Sequence, residues 1–284
     1  MTSWSSPDWR GKFDPAAALR LDTRLSSDRE LREDRAHELA EFMRLSPEQV
    51  KEAYRAHHEL RSIPLKTIDE SSIASVEAAY ADRMTLNWLM TQCMLHHTRL
   101  EDALQLLLAM RRVTPHDRPL RVIDFGCGAA DFGLLFALNG AEVTLVDLER
   151  GILPFAAWRL KRRGLNVRTV AVRAEDPYPA LPKADLVIAG DVLEYLIDPP
   201  ASIRHIHEAL NPGGLFWFPG FPYQMKMVAD MRTQLAADLR QSALDAVGAL
   251  FSPVAGPRFI CKAKPFADLR QSRPEANIVR RLLH

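Results

Sequence analysis

The stretch Arg121-Val122-Ile123-Asp124-Phe125-Gly126-Cys127-Gly128-Ala129-Ala130-Asp131 decides the fold. Its β-branched run reads as a strand. The two glycines behind it let the backbone turn sharply and approach a ligand with no Cβ in the way. Downstream, the pattern predicts a helix from Asp131 to Asn139, a strand from Glu142 to Val146 and a helix over about Leu153 to Arg163. A strand at Val167–Val172, one at Ala184–Ala189, a helix at Pro200–Leu210 and a fifth strand at Gly214–Phe218 complete the series. Strands alternating with helices of this length predict right-handed crossovers and a mostly parallel sheet of the α/β class, flanked by helices. Ligands of such sheets bind outside the carboxyl ends of the strands.

Upstream the texture changes. The first 115 residues are rich in Ala, Leu, Arg, Glu and His and nearly free of glycine after Gly11, which predicts an all-helical module. Ser46-Pro47-Glu48-Gln49 supplies an N-cap, a proline at the first helical position and a capping-box partner at the third. The division expected is a helical cap or substrate module over 1–115, a core over 116–266 and a polar tail over 267–284. A long helix (about Tyr223 to Leu250) and a strand at Arg258–Lys264 are expected late in the core.

Of the 284 residues, 47% are hydrophobic and 26% charged, enough apolar material for a large core, so a mainly disordered chain is excluded. A formal net charge of +1 argues against a general nucleic-acid or membrane-surface binder. Cys93, Cys127 and Cys261 are scattered without CxxC spacing, which disfavours a disulfide scaffold or structural zinc and fits a reducing compartment. Met1 to Arg10 lacks an apolar secretory run and no apolar stretch approaches the length of a membrane span, so a cytoplasmic protein is expected.

Two cofactors compete for the glycine loop. A dinucleotide fingerprint needs G-x-G-x-x-G, but Asp131 stands at the third glycine position, where an acid would repel a pyrophosphate seated on the helix amides. Asp124, two residues before the first glycine, is also out of place for that reading. S-adenosylmethionine carries an ammonium and a sulfonium and no phosphate, so carboxylates around the loop suit it. Asp147, at the end of the second strand and 21 positions beyond Gly126, has the spacing of an acid that accepts ribose hydroxyls. Dehydrogenases share that feature.

Together these residues resemble the class I S-adenosylmethionine-dependent methyltransferases. Val122 to Gly128 looks like the family's first motif and Val143-Thr144-Leu145-Val146-Asp147 like its second. Ala174-Glu175-Asp176 resembles the loop that contacts adenine, and the segment from Asp185 through Asp191 to Leu210-Asn211-Pro212-Gly213-Gly214 resembles the later motifs. The resemblance implies a Rossmann-like core with S-adenosyl-L-methionine as cofactor. It implies that Gly126 and Gly128 line the methionine part and that Asp124 supports its ammonium. Asp147 would hold the ribose, Leu148 would pack near adenine, Ala174 and Glu175 would sit at the adenine edge, and Gly190 or Asp191 would lie under the sulfonium. Ala130 departs from the family, since many members have another glycine there. Tyr195 stands where a common subgroup, including quinone-biosynthesis methyltransferases, has histidine.

Methyl transfer requires chiefly an aligned acceptor and the management of one proton. Asp191 and Tyr195 are the catalytic candidates, with Glu194, His205 and His207 nearby; the two histidines point to different helix faces and read as surface or packing residues. Cys127 reads as small-residue packing in the loop. His57-His58 and His96-His97 can each offer one ligand at most, so no metal site is expected. Seven basic residues between Arg150 and Arg173, with no acid among them, read as a solvated helix face, the alternative being an anionic substrate or RNA. The aromatic run Phe216 to Tyr223 begins as buried strand, and its Pro-Gly-Phe-Pro-Tyr exit is a candidate wall for the acceptor.

The reading favoured is transfer of a methyl group to a small or medium acceptor, at O or N rather than C. The expected partner is that small molecule, with nucleic acid disfavoured and a homodimer left open. The alternatives are a macromolecular acceptor (RNA, glycan or protein) and a non-catalytic member that binds cofactor or a partner.

Overall fold

The computed structural model describes residues 37–50, 52, 72, 74–76, 78, 106–107, 110, 118–149, 152–190, 192–218, 235–254 and 260–263. Most of the 1–115 module, the 219–223 exit, the 267–284 tail and both histidine pairs lie outside these residues, as does Asp191.

The core is a seven-stranded sheet of order β3-β2-β1-β4-β5-β7-β6. Its strands are β1 (Arg121–Phe125), β2 (Glu142–Leu148), β3 (Val167–Val172), β4 (Ala184–Ile188), β5 (Leu210–Trp217), β6 (Phe251–Pro253) and β7 (Ile260–Ala263). The first five are parallel, and the chain reverses direction across the sheet between β1 and β4. That switch point is where a ligand crevice opens. β7 runs antiparallel to both β5 and β6, so the far edge departs from the 3-2-1-4-5-6 order of the dinucleotide fold. β6 was not foreseen, because three residues are too few to show alternation.

Helices cover both faces, which is why β1 and β2 are apolar on both sides. α1 (Asp131–Leu138) and α2 (Leu153–Lys161) pack with Val122, Leu145, Leu186 and Ile188 on one face, where Leu106, Leu107 and Met110 are also buried. α3 (Pro199–Ala209) and α4 (Leu235–Leu250) pack with Ile123, Phe125, Val187 and Phe216 on the other. The observed bounds lie within a few residues of those expected, apart from α4, whose described part begins at Leu235 rather than Tyr223.

Local chemistry explains the helix starts. Asp198 caps α3 by accepting the Ala201 N–H at 2.9 Å, with Pro199 opening the helix. Ser46 and Gln49 close the expected capping box, with bonds of 2.8 and 3.2 Å. α1 has no cap from its own N-cap residue, Ala130. Asp124 of β1 does that work across the turn, its Oδ2 accepting the Gly133 N–H at 2.8 Å. A helix over residues 37–43 lies against the core, with Leu39, Ala40 and Val50 buried beside Ala129, Ile152 and Phe155.

At the opposite end of the sheet from the crevice, Asp185 ties three segments together. It accepts both guanidinium nitrogens of Arg118 at 2.7 and 2.8 Å, the Arg121 N–H and the Asn211 amide. Burial alone would raise its carboxyl, but the Arg118, Arg121 and Asn211 bonds outweigh it and hold the group at about 2.

Candidate functional site

Three strand ends converge at the switch point. The β1 loop folds back on β2, with the Gly126 and Cys127 N–H groups both donating to the Val146 carbonyl at 2.8 and 3.1 Å. Gly126 and Gly128 have φ of +66° and +51°, which glycine adopts at little cost. Gly126 has a second reason to be glycine: a Cβ there would lie 2.2 Å from Cγ2 of Val192, in the loop after β4. Val192 therefore closes the crevice from the β4 side by packing on the bare glycine backbone. Gly190 faces Phe132 of α1, whose ring would stand 3.1 Å from an added Cβ. Phe132 rests in turn on Trp217, ring centroids 5.0 Å apart.

Asp147 ends β2 beneath this loop. Its Oδ2 accepts the Gly128 N–H at 2.9 Å and its Oδ1 the Leu148 N–H at 2.8 Å. Burial pushes its carboxyl above the ordinary range despite those two donors. Asp124 is 2% exposed. Burial raises it to about 8, the Gly133 bond opposing and the nearby Asp147 and Asp131 carboxylates reinforcing. Its second oxygen has no donor among the described residues. A buried carboxyl with one oxygen unmatched suits a cationic ligand group, and the left-handed glycines leave the backbone open beside it. The residues present thus fit the ammonium end of S-adenosylmethionine.

Leu148 is half-buried next to Asp147, and the Glu149 N–H donates to Val172 at 3.1 Å, carrying the site to the end of β3. There Ala174 is half-buried and Glu175 exposed, in a turn closed by reciprocal Arg173 and Asp176 backbone bonds. Tyr195 is half-buried in a single 3-10 turn (Leu193–Tyr195). Asp124, Gly126, Gly128, Asp147, Leu148 and Gly190 are brought together, and Ala174 and Glu175 lie one strand outward. Cys127 is buried, its thiol pushed up by burial and by the Asp147 and Asp124 charges, so it stays a thiol. His205 bonds the Pro179 carbonyl at 2.9 Å and His207 is buried against the Phe251 ring, so both are packing residues.

Sequence reasoning missed Arg159. It sits in α2, 3% exposed, and its guanidinium contacts Glu38 at 2.9 Å, Asp131 at 3.0 Å and the Ala129 carbonyl. Arg162 and Arg163 also bind Glu38, and Arg162 reaches Glu41 at 2.7 Å. Arg173 pairs with Glu149 at 2.5 Å. The basic run is thus only partly a solvated face: Lys161, Arg162 and Arg168 are exposed, but Arg159 is buried and four of the cations are ion-paired, three of them with acids from the 37–43 helix or the loop. Glu38 lies 121 positions from Arg159, so no local pattern could have shown the pairing. Asp131 is likewise matched by Arg159. The case against a pyrophosphate rests instead on Asp124 and Asp147, which bear on the loop from inside.

This sheet order, with its antiparallel penultimate strand, and a carboxylate-lined glycine loop at the switch point fit the resemblance to class I S-adenosylmethionine-dependent methyltransferases. Residues 123–216 match the family described as a methyltransferase domain. The ubiquinone biosynthesis O-methyltransferase of Ruegeria pomeroyi is 32% identical over 159 residues, covering 52% of this chain and 62% of that one. The protein of the same name from Pseudomonas syringae pv. tomato is 33% identical over 99 residues, 34% of this chain and 43% of that one. The chain thus spans less than two thirds of the curated relatives it matches. The family implies S-adenosylmethionine as methyl donor. No helix among the described residues is long and apolar enough to cross a membrane, and no group of three metal-ligating side chains occurs among them.

Proposed function

We propose that this protein methylates an oxygen of a small acceptor, with S-adenosyl-L-methionine as donor. The observation that carries the reading is the loop itself: Gly126 and Gly128 in left-handed conformations, Gly128 bonded to Asp147, and Asp124 buried with one oxygen unmatched. Asp124 takes the ammonium, the Gly126–Gly128 backbone lines the methionine part, and Asp147 exchanges an amide partner for ribose hydroxyls. Leu148, Ala174 and Glu175 border adenine. The bound donor supplies a methyl group activated by its sulfonium.

The donor would supply its methyl group to the acceptor oxygen and leave as S-adenosylhomocysteine, so this chain's part is to align that oxygen and let the acceptor's proton depart. Gly190 borders the sulfonium side of the crevice, and the residue proposed to receive or orient that proton is Asp191 or Tyr195. Residues 1–115 act as the cap of the 116–266 core. Oxygen is preferred over nitrogen because the relatives named above are O-methyltransferases. A macromolecular acceptor is less favoured, since four of the seven cations in the basic run meant to attract it are paired with acids of this chain.

Thermal unfolding with S-adenosylmethionine, S-adenosylhomocysteine and NAD tests the donor. A ligand at about 100 times its Kd adds about 2.7 kcal/mol, a visible rise in midpoint. A rise with both sulfur compounds and none with NAD is expected; a rise with NAD alone would overturn the reading. Release of S-adenosylhomocysteine with hydroxylated acceptors, and its absence with amine analogues, tests the oxygen.

A further inference from the structure

Ala130 is fully buried and left-handed, with φ of +58°, a conformation that costs an alanine about 1 kcal/mol and a glycine almost nothing. Something must hold it there. The peptide plane entering Ala130 carries the Ala129 carbonyl, and that oxygen accepts a hydrogen bond from the Arg159 guanidinium. The same guanidinium pairs with Asp131, the residue leaving Ala130. Arg159 therefore grips the loop on both sides of its strained position. Arg159 is itself fixed by Glu38, which is fully buried and shared with Arg162 and Arg163. Burial alone would raise the Glu38 carboxyl, but Arg159 and Arg163 hold it below the ordinary range, so it is an anion.

We propose that Arg159 is a positioning residue for the cofactor loop, anchored by Glu38 of the 37–43 helix, and that it does in this chain what a glycine at position 130 would do. The inference rests on the S-adenosylmethionine reading of the loop. The guanidinium suits the role because its planar fork reaches a carbonyl, a loop carboxylate and a helix carboxylate at once, which an ammonium cannot do with the same geometry. The segment around residue 38 is thereby part of the cofactor site without touching the ligand: Leu39 and Ala40 are buried in one cluster with Ala129, and Glu38 sets the arginine.

The test is a calorimetric Kd for S-adenosylmethionine in the full-length wild type, R159K, A130G and R159K/A130G. R159K keeps the charge beside Glu38 but loses the fork, and its Kd is expected to rise about tenfold. A130G alone should stay within about threefold of wild type, and the double variant should regain most of the lost affinity, because glycine needs no restraint at that angle. A purely structural arginine would show no such rescue: losses that simply add, or an unchanged Kd in R159K, overturn the proposal. Should R159K fail to fold, E38Q takes its place, since it leaves the loop bonds and removes their anchor. A raised Kd relieved by A130G supports the proposal, and an unchanged one refutes it. Wild type that does not bind the cofactor refutes the functional reading and this inference with it, whereas wild type that binds with R159K unaffected refutes this inference alone.

Discussion

Replacing Asp124 by asparagine should change how stability depends on pH. In the fold, Asp124 holds its proton up to about 8, whereas its ordinary value, expected in the unfolded chain, is 3.8. Between those values the native state binds a proton that the unfolded state has lost. The contribution is thus fully present below 3.8 and is lost as pH rises toward 8. The slope is about 1.4 kcal/mol per pH unit. From pH 5 to pH 7, wild type should lose about 2.7 kcal/mol through this one group. The asparagine side chain has the same shape, can accept the Gly133 N–H through its carbonyl, and cannot titrate. Urea unfolding of both proteins without cofactor at pH 5, 6 and 7 reads the effect: the stability of D124N relative to wild type should climb by roughly that amount across the series. A constant difference would show that Asp124 ionises normally and refute the reasoning. Where an ammonium docks beside Asp124, the carboxyl should ionise, so binding of S-adenosylmethionine near pH 7 should release up to about one proton. Binding heats in buffers of different ionisation enthalpy measure that release, and D124N should abolish it.

Gly126→Ala should lower stability by about 3 kcal/mol, combining left-handed strain with the 2.2 Å approach to Val192, and should abolish cofactor binding; a change in unfolding free energy below about 0.5 kcal/mol would contradict the packing described. In that background Val192→Ala should recover only part of the loss, because Val192 Cβ itself stands 2.6 Å from the new atom. Asp147→Ala should raise the Kd for S-adenosylmethionine by about 10- to 100-fold, the worth of hydrogen bonds to a charged acceptor, and an unchanged Kd would remove Asp147 from the site. Asp185, held at about 2, contributes stability that is present above 3.8 and lost as pH falls through 2; Asp185→Asn should lower the urea midpoint at pH 7, with the gap closing by pH 2, and a gap of constant size would contradict its pairing.

The loop was legible because every link in it is short. Asp124, Gly126 and Gly128 lie within five residues, and the turn between strand and helix needs those residue types whatever the rest of the chain does. Asp147 was legible for a related reason: one crossover brings the end of β2 back beside the end of β1, so its distance in sequence is nearly fixed by the geometry of the unit. Val192 and Phe132 escaped notice because an apolar side chain carries no chemical signature, and only the Cβ positions at Gly126 and Gly190 show which ones wall the crevice.

What the sequence by itself determined is thus the alternating architecture, the switch-point crevice and its carboxylate-lined glycine loop, all set by periodicity and turn chemistry that act over a few residues. What only the tertiary structure decided is how charges far apart in the chain meet. Arg159, Arg162 and Arg163 read as a solvated basic face until Glu38 and Glu41 are folded against them, and Asp131 reads as a repulsive acid until Arg159 reaches it. Asp124 shows the same dependence: its residue type was visible, but its retained proton comes from burial and from two neighbouring acids, one of them on another strand. Electrostatic energy depends on distance and on the medium between charges. Both are properties of the fold, so the meaning of a charge is settled only when the chain has closed around it.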